Sequence, residues 1–93
     1  MKKRQMYLVR QERNFNGSVT EGNVCIYETE AAALNFIKSE MKRLYEAYGN
    51  SWEDTRKKIT CNCSNTYILT IISDTHFLQV RVYYSSIDVY LED

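Results

Sequence analysis

Three thiols and one imidazole are the residues of this chain best suited to chemistry: Cys25, Cys61, Cys63 and His76. Together they have the ligand types of a Cys3His zinc site. The Cys61-Asn62-Cys63 spacing is tighter than the gap of two to four residues usual in zinc knuckles, although two such thiols on a strand would share one face. Ile59, Cys61 and Cys63 alternate with Lys58, Thr60 and Asn62, so the sequence reads them as small buried hydrophobes on a half-covered strand. An odd number of cysteines makes a poor disulfide framework, and three reduced thiols are expected. No metal and no cofactor follow from these residues.

Nucleophilic chemistry fares no better. Ser73-Asp74-Thr75-His76 contains the three residue types of a hydrolytic triad, yet neighbours on one turn cannot take up triad geometry, and no nucleophile elbow surrounds Ser73. A reactive thiol needs electropositive surroundings, and only Arg56, Lys57 and Lys58 lie close in sequence to Cys61 and Cys63. The adjacent carboxylates Glu53-Asp54 and Glu92-Asp93 mark solvated segments. Gly17 and Gly22 form no phosphate cradle, because no Lys-Ser/Thr pair and no helix start follows them. The sequence predicts no catalytic residue and no enzyme.

What remains is contact surface. Eight tyrosines, three phenylalanines and one tryptophan bring the aromatic content to 13%, and tyrosine offers a large, rigid body with a polar tip. In the segment Phe77 to Tyr84, Leu78, Val80, Val82 and Tyr84 share one face and Phe77, Gln79, Arg81 and Tyr83 the other. A partner-binding row of Phe77, Arg81 and Tyr83, with Tyr90 and Tyr67 close to it, is therefore expected, and Phe36 is expected exposed beside the helix stripe. Lys2, Lys3, Arg4, Arg10 and Arg13 gather near the start of the chain against Glu12 alone. They form the alternative, nucleic-acid-binding site. The formal net charge is zero, and a neutral domain lacks the long-range field that drives non-specific phosphate binding, so nucleic acid is the disfavoured partner. Asp74, Asp88, Glu92 and Asp93 against Arg81 near the other end suggest that the two groups of charges meet across neighbouring strands.

Elements to position these residues are readily found. Ninety-three residues make one domain with one core. No apolar run approaches the roughly 20 residues that span a bilayer, and the basic start lacks the apolar stretch of a signal peptide, so a cytoplasmic protein without membrane contact is expected. Leu34, Ile37, Met41, Leu44, Tyr45 and Tyr48 form a helical stripe over Thr29 to Tyr48, capped by Thr29 and stopped by Gly49. Residues 6–12 and 23–28 read as strands of a hairpin with a long or bulged loop from Asn14 to Gly22. Ser51 to Asp54 reads as a short helical turn. Strands then follow to the end, broken at Ser64-Asn65, Asp74-Thr75 and Ser85-Ser86. The prediction is an α+β domain, an antiparallel sheet of five to six strands in the chain order β-β-α-β-β-β-β, with one amphipathic helix on one face. That order differs from the β-α-β-β-α-β of RNA-recognition sheets, and no Gly-Phe-type segment is present.

The segment Met6-Tyr7-Leu8-Val9-Arg10-Gln11-Glu12, a second strand ending at Glu28, and Glu30-Ala31-Ala32-Ala33-Leu34-Asn35-Phe36-Ile37-Lys38 resemble small uncharacterised proteins of bacteria, phages and mobile elements. The resemblance covers the first half of the chain and brings no activity and no site residues with it. It implies an accessory protein that binds partners rather than turning over substrates. An accessory or inhibitor protein acting on a protein partner through the uncovered face or an edge of the sheet is expected, with edge-to-edge homodimer pairing as one form of it.

Overall fold

A computed structural model describes residues 2–91. The first two strands are longer than their β-forming cores suggested: β1 spans Lys2–Phe15 and β2 spans Ser18–Tyr27. The expected long loop is instead the two-residue turn Asn16-Gly17, with φ of 51° and 91°. Two central residues at positive φ are what a type I′ turn demands, and Asn-Gly meets that demand at least steric cost. Asn16 also ties the turn to the distant end of the sheet, donating its N–H to the Phe77 carbonyl (2.9 Å) and accepting from the Phe77 N–H through Oδ1 (2.8 Å). The loop is not bulged either; the one register shift of this hairpin falls in the ladder, where Val9 pairs with Cys25 but Arg10 with Asn23.

The helix α1 covers Glu30–Ala47. Thr29, in extended conformation, accepts a hydrogen bond from the Ala32 N–H at 3.1 Å, which satisfies one of the free donors of the first turn. Beyond Tyr48, Gly49 at φ +79° reverses the chain. Ser51 starts no helical turn; Asp54 sits at φ 52°, and the Thr55 hydroxyl donates instead toward the Gly49 and Trp52 carbonyls. Residues 48–54 are turns and bends. Here the local Ser/Asp capping pattern yields to the need to bring the chain back to the sheet.

Strands β3 (Arg56–Cys63), β4 (Thr66–Ile72) and β5 (Phe77–Leu91) complete the domain. The expected break at Ser85-Ser86 does not exist. Both serines are paired within β5, opposite Leu8 and Tyr7 of β1, and the antiparallel register runs unbroken from Lys2↔Leu91 to Phe15↔Leu78. Serine favours turns through weak bonds to its own backbone, and a neighbouring strand offering a full ladder outcompetes them. The order is thus β-β-α-β-β-β, and Glu92 of the expected last strand lies outside the described residues. All pairs are antiparallel and the sheet order is β2-β1-β5-β4-β3.

Ala33, Ile37, Met41 and Leu44 of α1 form one buried cluster with Val9, Leu69, Ile71, Leu78, Val80, Val82 and Tyr84. Phe36, expected at the surface, packs against this cluster with its ring 5.8 Å from that of Tyr27. The molecule measures 57 × 23 × 20 Å. Its accessible surface of 6173 Å² exceeds the roughly 5,600 Å² expected of a compact 11 kDa chain. The excess has an evident source: residues 2–6 of β1 and 87–91 of β5 pair only with each other, forming a two-stranded arm past the ends of β2 and β4.

Gly49 is the position where the fold tolerates no side chain. A Cβ there would stand 2.8 Å from Ile71 Cγ2, on a backbone already at positive φ. Gly49→Ala is expected to lower the urea midpoint by the equivalent of about 2 kcal/mol at unchanged slope. Gly22→Ala, which meets nothing within 4 Å, serves as the control that should not destabilise by more than a few tenths of that.

Candidate interaction surface

The pleat of β5 sorts its residues into two faces. Leu78, Val80, Val82 and Tyr84 turn toward α1 and are buried, so Phe77, Gln79, Arg81 and Tyr83 occupy the open face. Arg81 donates to Glu12 Oε2 at 2.9 Å, and its guanidinium carbon lies 5.1 Å from the centre of the Tyr83 ring. Held between a carboxylate and a ring, Arg81 loses little further freedom when a partner arrives. Arg10 pairs in register with Tyr83 and carries a buried Nε with no hydrogen-bond partner among the described residues.

Tyr90 does not join this row. It lies on the other face of β5 in the same alternation, opposite Lys3 on the arm, and is 63% exposed. With no break at Ser85-Ser86, period two continues, so even-numbered residues stay on the helix side. Tyr67 is likewise on the helix side, opposite Val82 and packed against the core.

The basic N-terminal segment is divided by the same alternation. Lys2, Arg4 and Arg10 fall on the open face, Lys3 and Arg13 on the helix side. Lys3 stands 3.5 Å from Asp88 and Arg4 3.1 Å from Glu28, so two of these charges are paired across strands. Arg13 lies over the Tyr48 ring at 5.7 Å. Sequence reasoning missed the charges that the open face collects from elsewhere. In register, Arg56 and Lys58 of β3 flank Ile72 and Thr70 of β4, which flank Phe77 and Gln79 of β5. The open face therefore carries Lys2, Arg4, Arg10, Arg56, Lys58 and Arg81 against Glu12, Glu21 and, beside Arg4, Glu28. The signal that reveals this is not a run of like charges but every second residue of strands whose register is known.

Cys25, Cys61, Cys63 and His76 do not converge. Cys25 is on β2 and Cys61 on β3, the two outer strands, separated by about 19 Å of sheet. Among the described residues no three His, Cys, Asp or Glu side chains could hold a metal ion. Cys61 and Cys63 are exposed rather than core residues, and a register shift at Asn62 breaks their alternation. The Cys61 thiol donates to the Cys63 carbonyl at 3.0 Å. Cys61 is exposed because α1 meets this edge strand only at Lys57, and Cys63 because the register shift sets it beside Thr66 on the open face. Ser73 Oγ accepts from the backbone N–H groups of Thr75 and His76, so it caps a turn. The His76 ring stacks on Trp52, with centres 4.8 Å apart.

No protein family matches the chain, and neither a curated protein nor a solved structure matches it. Among the described residues no helix is long and apolar enough to cross a membrane.

Three phenols are held protonated by their surroundings. Contact with the Cys25 thiol, aided by burial, pushes the pKa of Tyr27 up to about 12. Burial, with Cys61 alongside, raises that of Tyr67, and burial, with Glu30 near, raises that of Tyr84. A raised folded-state pKa means that the native chain holds these protons more tightly than the unfolded one. Their stabilisation is complete below pH 10 and is lost as pH rises through the folded values, about 12 for Tyr27. Urea midpoints measured across that window should fall, and Tyr27→Phe should make the fall shallower. Cys25→Ala should return the Tyr27 titration toward pH 10, as read by its ring resonances.

Proposed function

We propose that this protein is a non-enzymatic interaction module that binds a protein partner with an acidic surface through the open face of its sheet. The observation that carries this reading is that Arg10, Arg56, Lys58 and Arg81 share the uncovered face of the five-stranded part, with Lys2 and Arg4 continuing it along the arm, in a chain whose formal net charge is zero. Phe77 and Tyr83 lie among those charges and supply rigid contact area. The stack of Arg81 on Tyr83 is the centre of the contact, where a partner carboxylate would share the guanidinium with Glu12.

A second reading is favoured by the same segregation of charge. Single-stranded nucleic acid binds basic surfaces that also present aromatic rings, with affinity that falls steeply as salt rises. On this reading Arg10 and Arg81 contact phosphates and Tyr83 stacks on a base.

One experiment separates the two. Nuclease-treated lysate of the native host is passed over the wild type and over Arg81→Ala/Tyr83→Ala, and a labelled single-stranded oligonucleotide is titrated with both at low salt. A protein retained by the wild type at least tenfold better than by the variant supports the first reading. Salt-sensitive oligonucleotide binding lost in the variant, with no protein retained, supports the second. Equal behaviour of wild type and variant in both assays removes the open face as the site. Both substituted residues stand on the solvent side of β5, so the variant should keep its helix and sheet signals.

A further inference from the structure

The sheet's other face has a space one helix wide beside α1. In the order β2-β1-β5-β4-β3 the central strand is β5, and α1 packs over β4, β1 and β5 and reaches β2 through Phe36 and Tyr27. None of the residues of β3 is buried. Strands are spaced about 4.8 Å apart, so β3 runs about 10 Å from β5, and side-by-side helices are separated by about 8–10 Å. A second helix laid over β3 would therefore contact α1 at ordinary packing distance. The floor and wall of that space are apolar: Met41 and Tyr45 from α1, Ile59 from β3 and Tyr67 from β4 line a groove of about 260 Å³. Ile59 and Tyr45 are each 40% exposed. The groove offers room for about two apolar side chains on the scale of a ~150 Å³ benzene-sized cavity.

Its rim is of one sign. Lys38 and Lys42, one helical turn apart, stand on the α1 shoulder. Neither takes part in an ion pair among the described residues, and no carboxylate lines the groove. Tyr45 is fixed in place, because the Lys57 ammonium bonds its carbonyl at 2.6 Å and lies 5.2 Å from its ring centre. We infer that this groove docks an amphipathic helix of a partner, with an apolar stripe on Met41, Tyr45, Ile59 and Tyr67 and acidic side chains on Lys38 and Lys42. Charge complementarity selects this occupant. A second copy does not supply it through α1, whose outward positions Asn35, Ser39, Lys42 and Glu46 carry no apolar stripe. This site lies on the face of the sheet opposite Arg81 and Tyr83, and its test is independent of theirs.

The test titrates the full chain into two fluorescent synthetic helices of about four turns, both with the same leucine stripe, one flanked by glutamates and one by lysines. Binding of the acidic helix that weakens with salt, drops about tenfold in Lys38→Glu/Lys42→Glu, and is replaced there by binding of the basic helix supports the proposal. Ile59→Lys, a change at an exposed edge-strand position, should abolish binding in either charge background while the fold is retained. No binding of the acidic helix, or binding that both variants leave unchanged, overturns it. So does a dimer of the protein alone that Ile59→Lys dissociates in sedimentation, which would place a second copy in the groove. Saturation of the groove by dodecanoate without any helix binding would overturn it in favour of a small anionic amphiphile.

Discussion

An α-helix with its side chains is about 10 Å across, whereas five strands span about 19 Å from the first axis to the last. That mismatch of widths governs this molecule. Centred near β5, α1 buries Val80 and Val82 of that strand completely, along with Val9 of β1 and Leu69 and Ile71 of β4. It leaves β2 and β3 without a single buried residue. The core is consequently one-sided and narrow, and the hydrophobic stabilisation concentrates on three strands. The outer strands are held mainly by their ladders and, in β2, by the half-covered side chains of Cys25 and Tyr27, which pack against the core's margin.

Outer strands with free edges invite pairing with other chains, and the two edges here are managed differently. β3 carries Arg56, Lys57 and Lys58 in succession and bulges at Asn62, so charge and irregular register both discourage another strand. β2 has one charged residue, Glu21, and exposes Val19 and Ile26 at 56% and 51%; only its bulge at the Val9/Arg10 step interrupts the edge. At the inner boundary, Asn65 ends the pairing of β4 with β5, its backbone and side chain both bonding to Tyr84. Past Ser86, where β2 also ends, β5 continues alone with β1 as the arm. The domain thus presents one guarded edge, one open edge and an arm, all consequences of strand lengths that outrun a single helix.

Much of this was legible in the residues. Thr29, the stripe from Ile37 to Leu44, and Gly49 delimit α1 because capping and period 3.6 are local signals, complete within one segment. Asn16-Gly17 is an equally local signal, but the polar residues from Asn14 to Gly22 mask it, because an exposed edge strand is as polar as a loop. The arm was not legible. Ser85-Ser86 has turn composition, and only the presence of Leu8 and Tyr7 opposite, contributed by residues more than seventy positions earlier, keeps it extended. For the candidate surface, Phe77, Arg81 and Tyr83 follow from alternation inside one strand, whereas Tyr90 and the cysteines depended on a break, an alternation and a burial that long-range pairing altered.

Net charge illustrates why sheet register matters for function. Lys2, Lys3 and Arg4 form a basic run in the sequence, yet the pleat sends the middle one to the opposite face, where Asp88 meets it. Arg10, Lys58 and Arg81 are scattered along the chain, and the register brings them onto one face. Electrostatic attraction at physiological ionic strength decays over about 8 Å, which is less than the 20 Å of the molecule's smallest dimension. A partner approaching the open face therefore responds to that face and hardly at all to Glu40 or Glu46 of α1 on the other side. A formal charge of zero describes the whole chain at distances where screening has already erased it. Closer in, the relevant quantity is the charge of one side of the pleat, and on this protein that side is basic.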